Sequence, residues 1–262
     1  MKLLDLTLTT PAENLACDEA LLDWCEDGYC PDEILRFWEP TRHFVVVGYA
    51  NKVATEVNVA ACETRQIPVL RRCSGGGTVL QGPGCLNYAL ILRITPDGPF
   101  RNVGGANRFI MERNRQAVES VPATRQSAAD CISKICRRSA ETPLRLELDV
   151  RGHTDLAKNG LKFSGNSQRR RKNYLLFHGT FLLNFDLELV SELLRMPSQQ
   201  PDYRNHRSHG EFLTNLNMPA ADVKTAIQRA WEAESPLKNP PSEQIAVLAQ
   251  EKYATREWNL KF

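Results

Sequence analysis

The apolar residues of this chain recur with a helical period in some segments and a strand period in others. In residues 14–24, apolar side chains return every three or four positions, which predicts an amphipathic helix. Residues 34–38 and 44–48 are short runs rich in β-branched and aromatic residues, separated by a Glu-Pro-Thr turn signal at 39–41. The chain is therefore predicted to begin with a helix and two strands.

The remaining segments mix both periods in no regular order. Further strands are predicted over 67–70, 86–92, 144–150, 155–157, 161–164 and 177–184, with an Asn-Gly hairpin turn at 158–160. Further helices are predicted over 53–65, 107–121, 187–194, 222–233 and 243–253. Because the elements do not follow a βαβ alternation, we expect an α/β protein of the α+β type, with a mixed, largely antiparallel sheet flanked by helices.

The chain is expected to form one domain over residues 1–262. A Lys-Asn-Pro-Pro break at 238–241 precedes too few residues for a second domain, so the segment from about 240 to 262 is predicted to be a short helical tail. Residues 123–143 are polar and rich in small residues, which indicates an irregular or partly helical connection.

Composition and charge exclude several classes of protein. Hydrophobic residues make up 42% of the chain and charged residues 24%, as in ordinary soluble domains. The net charge of +2 argues against a general nucleic-acid binder. No apolar run approaches the roughly 20 residues of a membrane helix, and Asp5 interrupts the start of the chain where a signal peptide would stay apolar. We therefore expect a cytoplasmic protein with neither nucleic acid nor membrane as a partner.

The most distinctive motif is a glycine loop, residues 71–80, with the sequence Arg-Arg-Cys-Ser-Gly-Gly-Gly-Thr-Val-Leu. Glycines allow a ligand to approach the backbone closely, and successive N–H groups in such a turn form a cavity that binds anions. Guanidinium groups beside the loop suit a phosphate or a carboxylate. The loop therefore predicts a site for a nucleotide or an acyl phosphate.

A second group of polar residues begins at Lys162. We interpret Lys162 and Ser164 as the end of a strand, on one face by alternation, followed by a turn of small residues from Gly165 onward. A lone lysine on a strand is most often solvated, but such a turn favours a ligand, and a lysine over an acyl phosphate would neutralise the leaving group. The basic run 169–172 is interpreted either as an exposed loop or as a docking patch for an acidic partner or a phosphate. We interpret His178 either as a structural residue or as part of the site.

The cysteines point to neither zinc nor disulfides. None of the eight forms a CxxC pair, so a zinc site is not expected. We expect the cysteines to be reduced and mostly buried. Cys73 and Cys85 flank the glycine loop and are the two candidates for a site role. The cysteines are Cys17, Cys25, Cys30, Cys62, Cys73, Cys85, Cys131 and Cys136.

Five segments in this order resemble the lipoate-protein ligase A family of the biotin/lipoate protein ligase superfamily. They are residues 14–22, Arg72-x-Ser74-Gly75-Gly76-Gly77, Lys162-x-Ser164-Gly165, His178-Gly179-Thr180 with Leu182-Leu183-Asn184, and 252–259. The match spans nearly the whole chain. It implies a catalytic domain whose fold resembles biotin-protein ligase and the class II tRNA synthetase core.

The resemblance implies an enzyme, a lipoate-protein ligase. Such ligases activate lipoate or octanoate with ATP and Mg²⁺ to acyl-AMP, and transfer the acyl group to a lysine of a lipoyl domain in a 2-oxoacid dehydrogenase E2 or of the glycine-cleavage H protein. The family also implies a monomer. Acyl-adenylate chemistry of this kind needs no protein nucleophile, only held geometry and positive charge at the phosphate.

The resemblance also implies roles for individual residues. Lys162 is the expected catalytic lysine, in contact with both the acyl carbonyl and the phosphate. The expected ATP and lipoyl-adenylate site comprises Arg72, Ser74, Gly75, Gly76, Gly77, Thr78, Val79, Leu80, Asp155, Lys162, Ser164, Gly165, Asn166 and His178. The expected lipoate pocket comprises Trp38, Cys85 and Gly179, and no metal ligand is assigned.

The sequence after the glycines departs from the ligase pattern. Ligases usually continue with His-Asp and then Gly-Asn, whereas this chain has Gln-Gly-Pro-Gly at 81–84, which looks more like the octanoyltransferases of the superfamily. Those enzymes form a thioester on a cysteine shortly before the Lys162-type lysine or just before the His178-type histidine, and neither position is a cysteine here. Cys85 is the plausible substitute for the acyl-carrying cysteine, and the alternative is that Cys85 packs in the acyl pocket.

Two alternatives to the ligase therefore stay open. One is an ATP-independent octanoyl or lipoyl transferase, and another is a non-catalytic homologue that binds lipoate or a lipoylated partner. Many ligases carry a smaller C-terminal domain, which we expect to be absent here because the chain ends soon after 257–259. Adenylation would then fall to a separate accessory protein, or the chain would transfer only from preformed acyl-adenylate.

Overall fold

An eight-stranded sheet and a three-stranded sheet make up the β structure in the computed structural model, which describes residues 1–122 and 146–262. The strands are β1 Lys2–Asp5, β2 Ile34–Trp38, β3 Phe44–Val47, β4 Val69–Arg71, β5 Val79–Gln81, β6 Cys85–Arg93, β7 Leu148–Arg151, β8 Asp155–Lys158, β9 Leu161–Arg170, β10 Tyr174–Leu182 and β11 Ser235–Pro236.

The large sheet has the order β11-β1-β2-β6-β10-β9-β8-β7, and the small sheet has the order β4-β3-β5. In the large sheet only β11-β1 and β1-β2 pair in parallel, and the other five neighbours are antiparallel. In the small sheet β3 pairs in parallel with β4 and antiparallel with β5. The predicted mixed, largely antiparallel sheet is confirmed.

Helices cover both faces of the large sheet. They are α1 Pro11–Glu26, α2 Val53–Glu56, α3 Val59–Thr64, α4 Val103–Glu119, α5 Leu187–Leu193, α6 His209–Phe212, α7 Ala220–Ala230, α8 Ser242–Leu248 and α9 Arg256–Asn259. The described residues also contain a 3₁₀ turn at Asp202–Arg204 and a π-helical turn at Ala249–Tyr253. In residues 1–122 and 146–262, no helix is both long and apolar enough to cross a membrane.

The two faces of the large sheet have separate hydrophobic cores. Helices α4 and α7 pack on one face through residues such as Ile110 and Ile227, while α1 and α8 cover the other. The small sheet packs on α5 with a third core of its own. Because strand side chains alternate between the two faces of a sheet, each side chain of β9 and β10 lies on the side of one of these two cores.

The predicted helix is present as α1, but its expected polar side, with Asp18 and Glu19, is buried as well. It begins with a capping box between Thr10 and Glu13, and it lies between the sheet and the C-terminal segment. Glu19 accepts hydrogen bonds from Lys252 Nζ at 2.6 Å and from Tyr253 Oη at 2.8 Å. The C-terminal residues are thereby joined to the core of the domain.

Several predicted boundaries are wrong for local reasons. The helix expected over 53–65 is interrupted because Val57 is extended and bridges to Leu194, and Asn58 then caps α3. The helix expected over 107–121 begins earlier, at Val103, where the Asn102 side chain accepts from Gly105 N. The helix expected over 243–253 is divided into α8 and the π-helical turn.

The turn expected after Ser164 is also wrong. Strand β9 continues from Leu161 to Arg170 and pairs with β10 along most of that length. The basic run 169–172 is accordingly not a loop throughout, and the Arg171 guanidinium lies 2.7 Å from an Asp23 carboxylate oxygen. The connection expected over 123–143 lies outside the described residues, and the described part of the strand expected over 144–150 begins at Leu148.

Arg71 joins the small sheet to the end of the chain. Its buried guanidinium donates to the carbonyl oxygens of Gly48 at 2.8 Å, Asn51 at 2.8 Å and Trp258 at 3.1 Å. Its backbone N–H donates to the Asn259 side chain at 2.9 Å. Arg71 therefore stabilises the fold, and it is not free to bind an anion as the loop sequence alone suggested.

We expect Arg71→Met to lower the free energy of unfolding by about 2–4 kcal/mol, because several buried carbonyls would lose their donor at once. Urea denaturation measures this change. The control is Arg151→Met, which removes a half-exposed guanidinium paired with Asp149 and should change stability by less than about 0.5 kcal/mol. Equal effects of the two substitutions would contradict the structural role of Arg71.

Candidate functional site

The glycine loop connects β4 to β5 and is folded around the Arg72 side chain. The Arg72 guanidinium donates to Gly77 O at 2.8 Å and to Ser74 Oγ at 3.1 Å, and it also donates to Gly75 O. Burial lowers the pKa of Arg72 to about 10. The arginine thus fixes the curvature of the loop through its carbonyl oxygens.

Glycine is required at two positions around this loop, at Gly76 for its backbone conformation and at Gly48 for close backbone contact. Gly76 has a φ of +83°, in the left-handed region that favours glycine. A Cβ atom on Gly48, at the end of β3, would lie 2.0 Å from Gly76 O. The chain therefore brings two backbone segments into direct contact and leaves Gly75, Gly76 and Gly77 exposed at the surface.

The residues that end the loop lead into the small sheet. Thr78 Oγ1 accepts a long hydrogen bond, 3.4 Å, from Asn51 Nδ2. Val79 and Leu80 begin β5, where Leu80 is buried. Of the predicted adenylate-binding residues in this loop, Leu80 thus lies within the core.

Lys162 forms an ion pair across the neighbouring strand. Its Nζ lies 2.7 Å from Asp155 Oδ1, and the other carboxylate oxygen accepts from Tyr203 Oη at 2.8 Å. A Cβ atom on Gly165 would lie 2.9 Å from both Cε and Nζ of Lys162. The structure thereby brings together Lys162, Asp155 and Gly165, with the lysine side chain lying across the glycine.

A β-bulge explains the direction of the lysine and corrects the expected alternation. Leu156 pairs with Ser164 but the next residue, Ala157, pairs with Lys162, so Phe163 is the extra residue of β9. Ser164 is buried and lies 3.3 Å from Asn166 Nδ2, whereas Lys162 crosses over Gly165. Lys162 and Ser164 therefore do not share a face of the sheet.

Four hydrogen-bonded side chains, three of them buried and His178 partly exposed, connect the glycine loop to β2. Ser74 Oγ lies 2.6 Å from His178 Nε2, and His178 Nδ1 lies 2.9 Å from Asp18 Oδ2. The other Asp18 oxygen accepts from Arg36 Nη1 at 2.6 Å. Ser74, Asp18 and Arg36 are each at most 2% exposed, so these three side chains are shielded from bulk water.

Asp18 stays ionised although it is buried. Burial by itself would raise its pKa, but the Arg36 guanidinium and the His178 ring outweigh burial and hold the pKa of Asp18 below its usual value. Arg36 is in turn satisfied by Asn14, whose carbonyl and side-chain oxygens each accept a hydrogen bond of 2.8 Å. The negative charge behind His178 is therefore fixed in place.

Asn166 and Gly179 lie on the opposite face of the sheet from His178. Asn166 Oδ1 accepts from Tyr88 Oη at 2.6 Å, in the layer covered by α4. A Cβ atom on Gly179 would lie 1.7 Å from Asn166 Oδ1, so the glycine leaves space for that amide. The structure does not bring these two predicted residues together with Lys162, His178 and the glycine loop.

The residues expected to line the lipoate pocket are separated. Trp38 is buried and stacks on Phe44 with ring centroids 6.4 Å apart, in the core beneath α1. Cys85 is buried in the core of the small sheet with Val45, and burial raises the pKa of its thiol to about 12. Trp38, Cys85 and Gly179 therefore lie in three different environments.

Gln81, the first residue of the departure from the ligase pattern, belongs to a polar network between the sheets. Its Nε2 donates to Thr180 Oγ1 at 2.7 Å, and its Oε1 accepts from Asn87 Nδ2 at 2.9 Å. Thr180 follows His178 by two residues on β10 and shares its face. This amide therefore connects the small sheet to the strand that carries His178.

The sequence did not single out Asp18, Arg36, Gln81 or Tyr203 as parts of one site. Asp18 was placed on the polar side of a helix, and its position in the segment 14–22 that carries the resemblance was the available signal. Tyr203 comes from the 3₁₀ turn between α5 and α6, and no local pattern marks it. Within residues 1–122 and 146–262, no group of three His, Cys, Asp or Glu side chains is arranged to hold a metal ion.

We expect Asp18→Asn to lower the free energy of unfolding by about 3–5 kcal/mol at neutral pH, because Arg36 would be left as a buried, uncompensated charge. Since the folded protein lowers the pKa of Asp18, its carboxylate stabilises the fold above the unfolded pKa of about 4, and that stability is lost as the pH falls. Urea denaturation at about pH 7 and about pH 3 checks both points. An effect of equal size at both pH values would contradict the assignment.

A family of known catalytic domains matches most of this chain. The sequence model of the lipoyl protein ligase A/B catalytic domain matches residues 10–232, which include α1, the glycine loop, β8 to β10 and α7. Octanoyltransferase LipM from Geobacillus kaustophilus is 28% identical over an alignment of 282 positions that covers 99% of this chain and 98% of that protein.

Solved structures share the fold. A bi-partite lipoate protein ligase from Thermoplasma acidophilum superposes with a TM-score of 0.74 at 22% identity, covering 99% of this chain and 95% of that one. Lipoate-protein ligase A bound with ATP superposes with a TM-score of 0.68 at 22% identity, covering 99% and 98%. At this identity the structures establish the fold alone. Taken with the match over residues 10–232, they place this chain in the lipoyl protein ligase A/B catalytic domain family.

Proposed function

We propose that this protein is a lipoate-protein ligase that transfers a lipoyl or octanoyl group from acyl-adenylate to a lysine of a lipoyl-domain protein. The observation that carries the proposal is the position of Lys162. Its ammonium group lies over Gly165, on the strand next to the one that carries His178, and Ser167 of the same strand donates to Gly75 O of the glycine loop at 2.8 Å.

A positive charge at this place suits the leaving group of an acyl-adenylate. The phosphate becomes more negative as the mixed anhydride breaks, and an oriented ammonium stabilises the charge that develops. The exposed backbone of Gly75, Gly76 and Gly77 offers N–H groups to the same phosphate. Lys162 Nζ is held by Asp155 and its side chain is 27% exposed, so it is both positioned and accessible.

The cysteines beside the glycine loop favour this route over a covalent thioester. Cys73 and Cys85 are buried, and burial raises the pKa of each thiol to about 12. Acyl transfer through cysteine needs the thiolate, which these environments disfavour. Adenylate chemistry needs no such nucleophile.

ATP and Mg²⁺ fit the site only in part. Mg²⁺ is commonly held by one or two carboxylates with the rest of its shell from phosphates and water, and it would neutralise charge on the ATP phosphates. Asp155 is a carboxylate at the site, but both of its oxygens already have partners in Lys162 and Tyr203. The proposed transfer step therefore relies on the side chains and backbone of the protein itself.

A lipoyl domain is the proposed acceptor. The T. acidophilum ligase, which shares this fold, was described together with its E2 lipoyl domain. An acceptor lysine on such a domain would have to reach the acyl carbonyl beside Lys162 and the exposed glycines. The mobile side chain of a lysine is long enough to enter a site that is open at the surface.

We expect the protein, given ATP, Mg²⁺, lipoate and an apo lipoyl domain, to add one lipoyl mass to that domain. Lys162→Ala should reduce the rate by about 10²–10³-fold, as expected for loss of one oriented charge at the transition state. The control is Lys158→Ala, at the end of the adjacent strand β8, which should stay within about threefold of wild type, as surface changes usually do. Intact mass spectrometry of the lipoyl domain measures the product.

Transfer from synthetic lipoyl-AMP but not from ATP and lipoate would restrict the chain to the second half-reaction and assign adenylation to a separate protein. No transfer from either donor would contradict the proposal. Binding of lipoate without transfer in either assay would instead favour a non-catalytic homologue.

The second candidate is an ATP-independent octanoyltransferase. It is favoured by LipM of G. kaustophilus, which aligns with 99% of this chain, and by the Gly-Pro-Gly sequence at 82–84. This candidate predicts octanoyl transfer from an acyl-carrier protein without ATP, through an acyl-thioester.

We expect Cys85→Ser to transfer at a rate within about threefold of wild type, because the thiol packs in the small-sheet core and its pKa is raised to about 12. The rate of lipoyl-domain modification with each donor measures this. An ATP-independent rate that vanishes in Cys85→Ser, with an octanoyl thioester trapped on wild-type Cys85, would favour the transferase instead.

A further inference from the structure

The acceptor amine needs a base that Lys162 does not provide. A lysine ammonium has a pKa of about 10.4, so at neutral pH it must lose a proton before its nitrogen can attack the acyl carbonyl. Lys162 is itself paired with Asp155 as an ammonium donor, and its proposed role requires that charge. The proton must therefore go to another group near the glycine loop.

The hydrogen bonds around His178 determine where its protons lie. Asp18 is held ionised by Arg36 and accepts, so the His178 nitrogen 2.9 Å from it, Nδ1, carries the hydrogen. In the neutral ring Nε2 is then an acceptor, and the Ser74 hydroxyl 2.6 Å away donates to it. Ser74 Oγ has a further partner in Arg72 Nε at 3.1 Å.

We propose that Ser74, His178 and Asp18 form a proton relay that deprotonates the acceptor lysine, an inference that rests on the acyl transfer proposed above. The acceptor ammonium gives a proton to Ser74 Oγ as the Ser74 hydroxyl proton passes to His178 Nε2. The amine nitrogen then forms a bond to the acyl carbon, the bond from that carbon to the phosphate oxygen breaks, and AMP leaves as its phosphate takes the second proton from the nitrogen, which becomes the amide N–H. The imidazolium formed is stabilised by the Asp18 carboxylate.

The surroundings of His178 suit this temporary positive charge. Asp18 faces the ring from α1, with Arg36 of β2 behind it, and Arg72 faces it from the glycine loop through Ser74. On β9 the paired residue is Ser167, which is uncharged. Of these groups Asp18 is the one in direct contact with the ring, and it carries the opposite charge to the imidazolium.

Burying the charged and polar side chains around His178 costs desolvation free energy, which indicates that they do more than fill the core. A buried ion pair stabilises a fold little compared with apolar residues of the same size. Ser74 and Asp18 are buried and each contacts His178, and the buried Arg36 contacts Asp18. Ser74 is itself buried, but the exposed Gly75 to Gly77 follow it directly and carry no side chains, so the acceptor amine would approach Ser74 Oγ past these glycines.

An experiment with two different acyl acceptors distinguishes a general-base role of these residues from a structural one. With synthetic octanoyl-AMP as donor, the acyl group is offered either to the lysine of an apo lipoyl domain or to hydroxylamine, which is already a neutral nucleophile near pH 7. The variants are His178→Asn, whose amide nitrogen can still donate to Asp18 but cannot take a proton, and Ser74→Ala. Ser167→Ala is the control, because it removes another hydroxyl that contacts the glycine loop without touching the relay.

We expect His178→Asn and Ser74→Ala to slow transfer to the lysine by about 10²–10⁴-fold, the usual contribution of a general base. Hydroxamate formation should change by less than about threefold, since that nucleophile needs no base. The lysine reaction of the two variants should also rise with pH through the range in which lysine itself deprotonates, whereas Ser167→Ala should keep the wild-type pH profile.

Equal losses with both nucleophiles, or no loss with the lysine, would overturn the relay. An octanoyl ester on wild-type Ser74, found by peptide mass spectrometry, would also overturn it by making the serine a nucleophile. If the wild-type protein transfers to neither acceptor, the proposed function itself fails and the relay fails with it. Should His178→Asn not fold, as judged by circular dichroism, Ser74→Ala decides by the same criteria.

Discussion

The buried ion pair between Asp18 and Arg36 is the interaction on which the site depends. It joins α1 to β2 near the centre of the large sheet, and the second Asp18 oxygen fixes the ring of His178. Through Ser74 the same network reaches the glycine loop, which belongs to the other sheet. Because a buried carboxylate is stable only with its partners in place, the position of the loop and the charge state of the aspartate depend on each other.

Close backbone contact is the second constraint, and it explains where glycine is required. Gly48 lets the end of β3 touch the carbonyl of Gly76, and Gly165 leaves room for the Lys162 side chain. Gly179 does the same for Asn166 on the opposite face. The three glycines thus have three different roles. Gly48 shapes the glycine loop, Gly165 positions Lys162, and Gly179 allows close packing in the core.

The sequence was sufficient for the fold class and for most elements, because alternation and helical spacing report directly on burial. The alternation failed at β9, where the bulge at Phe163 turns Lys162 away from the face of Ser164, since a bulge depends on pairing with β8 that no local pattern reveals. Asp18 was misplaced for a similar reason. A helix covered on both sides buries polar residues whose partners, here Arg36 and His178, are distant in sequence.

The two cationic side chains at this site, Arg72 and Lys162, already have hydrogen-bond partners within the protein. These partners determine how strongly each side chain can interact with a bound anion. Arg72 is committed to loop carbonyls and can act on an anion only through the shape it gives the backbone. Lys162 is paired with Asp155, so the acyl phosphate of the proposed reaction would have to compete with that carboxylate for the ammonium. Tyr203 donates to the far oxygen of Asp155 and would keep it hydrogen-bonded if the lysine turned toward substrate. In the proposed reaction, the glycine loop would supply the backbone of the anion site and Lys162 the charge that is delivered as the acyl bond breaks.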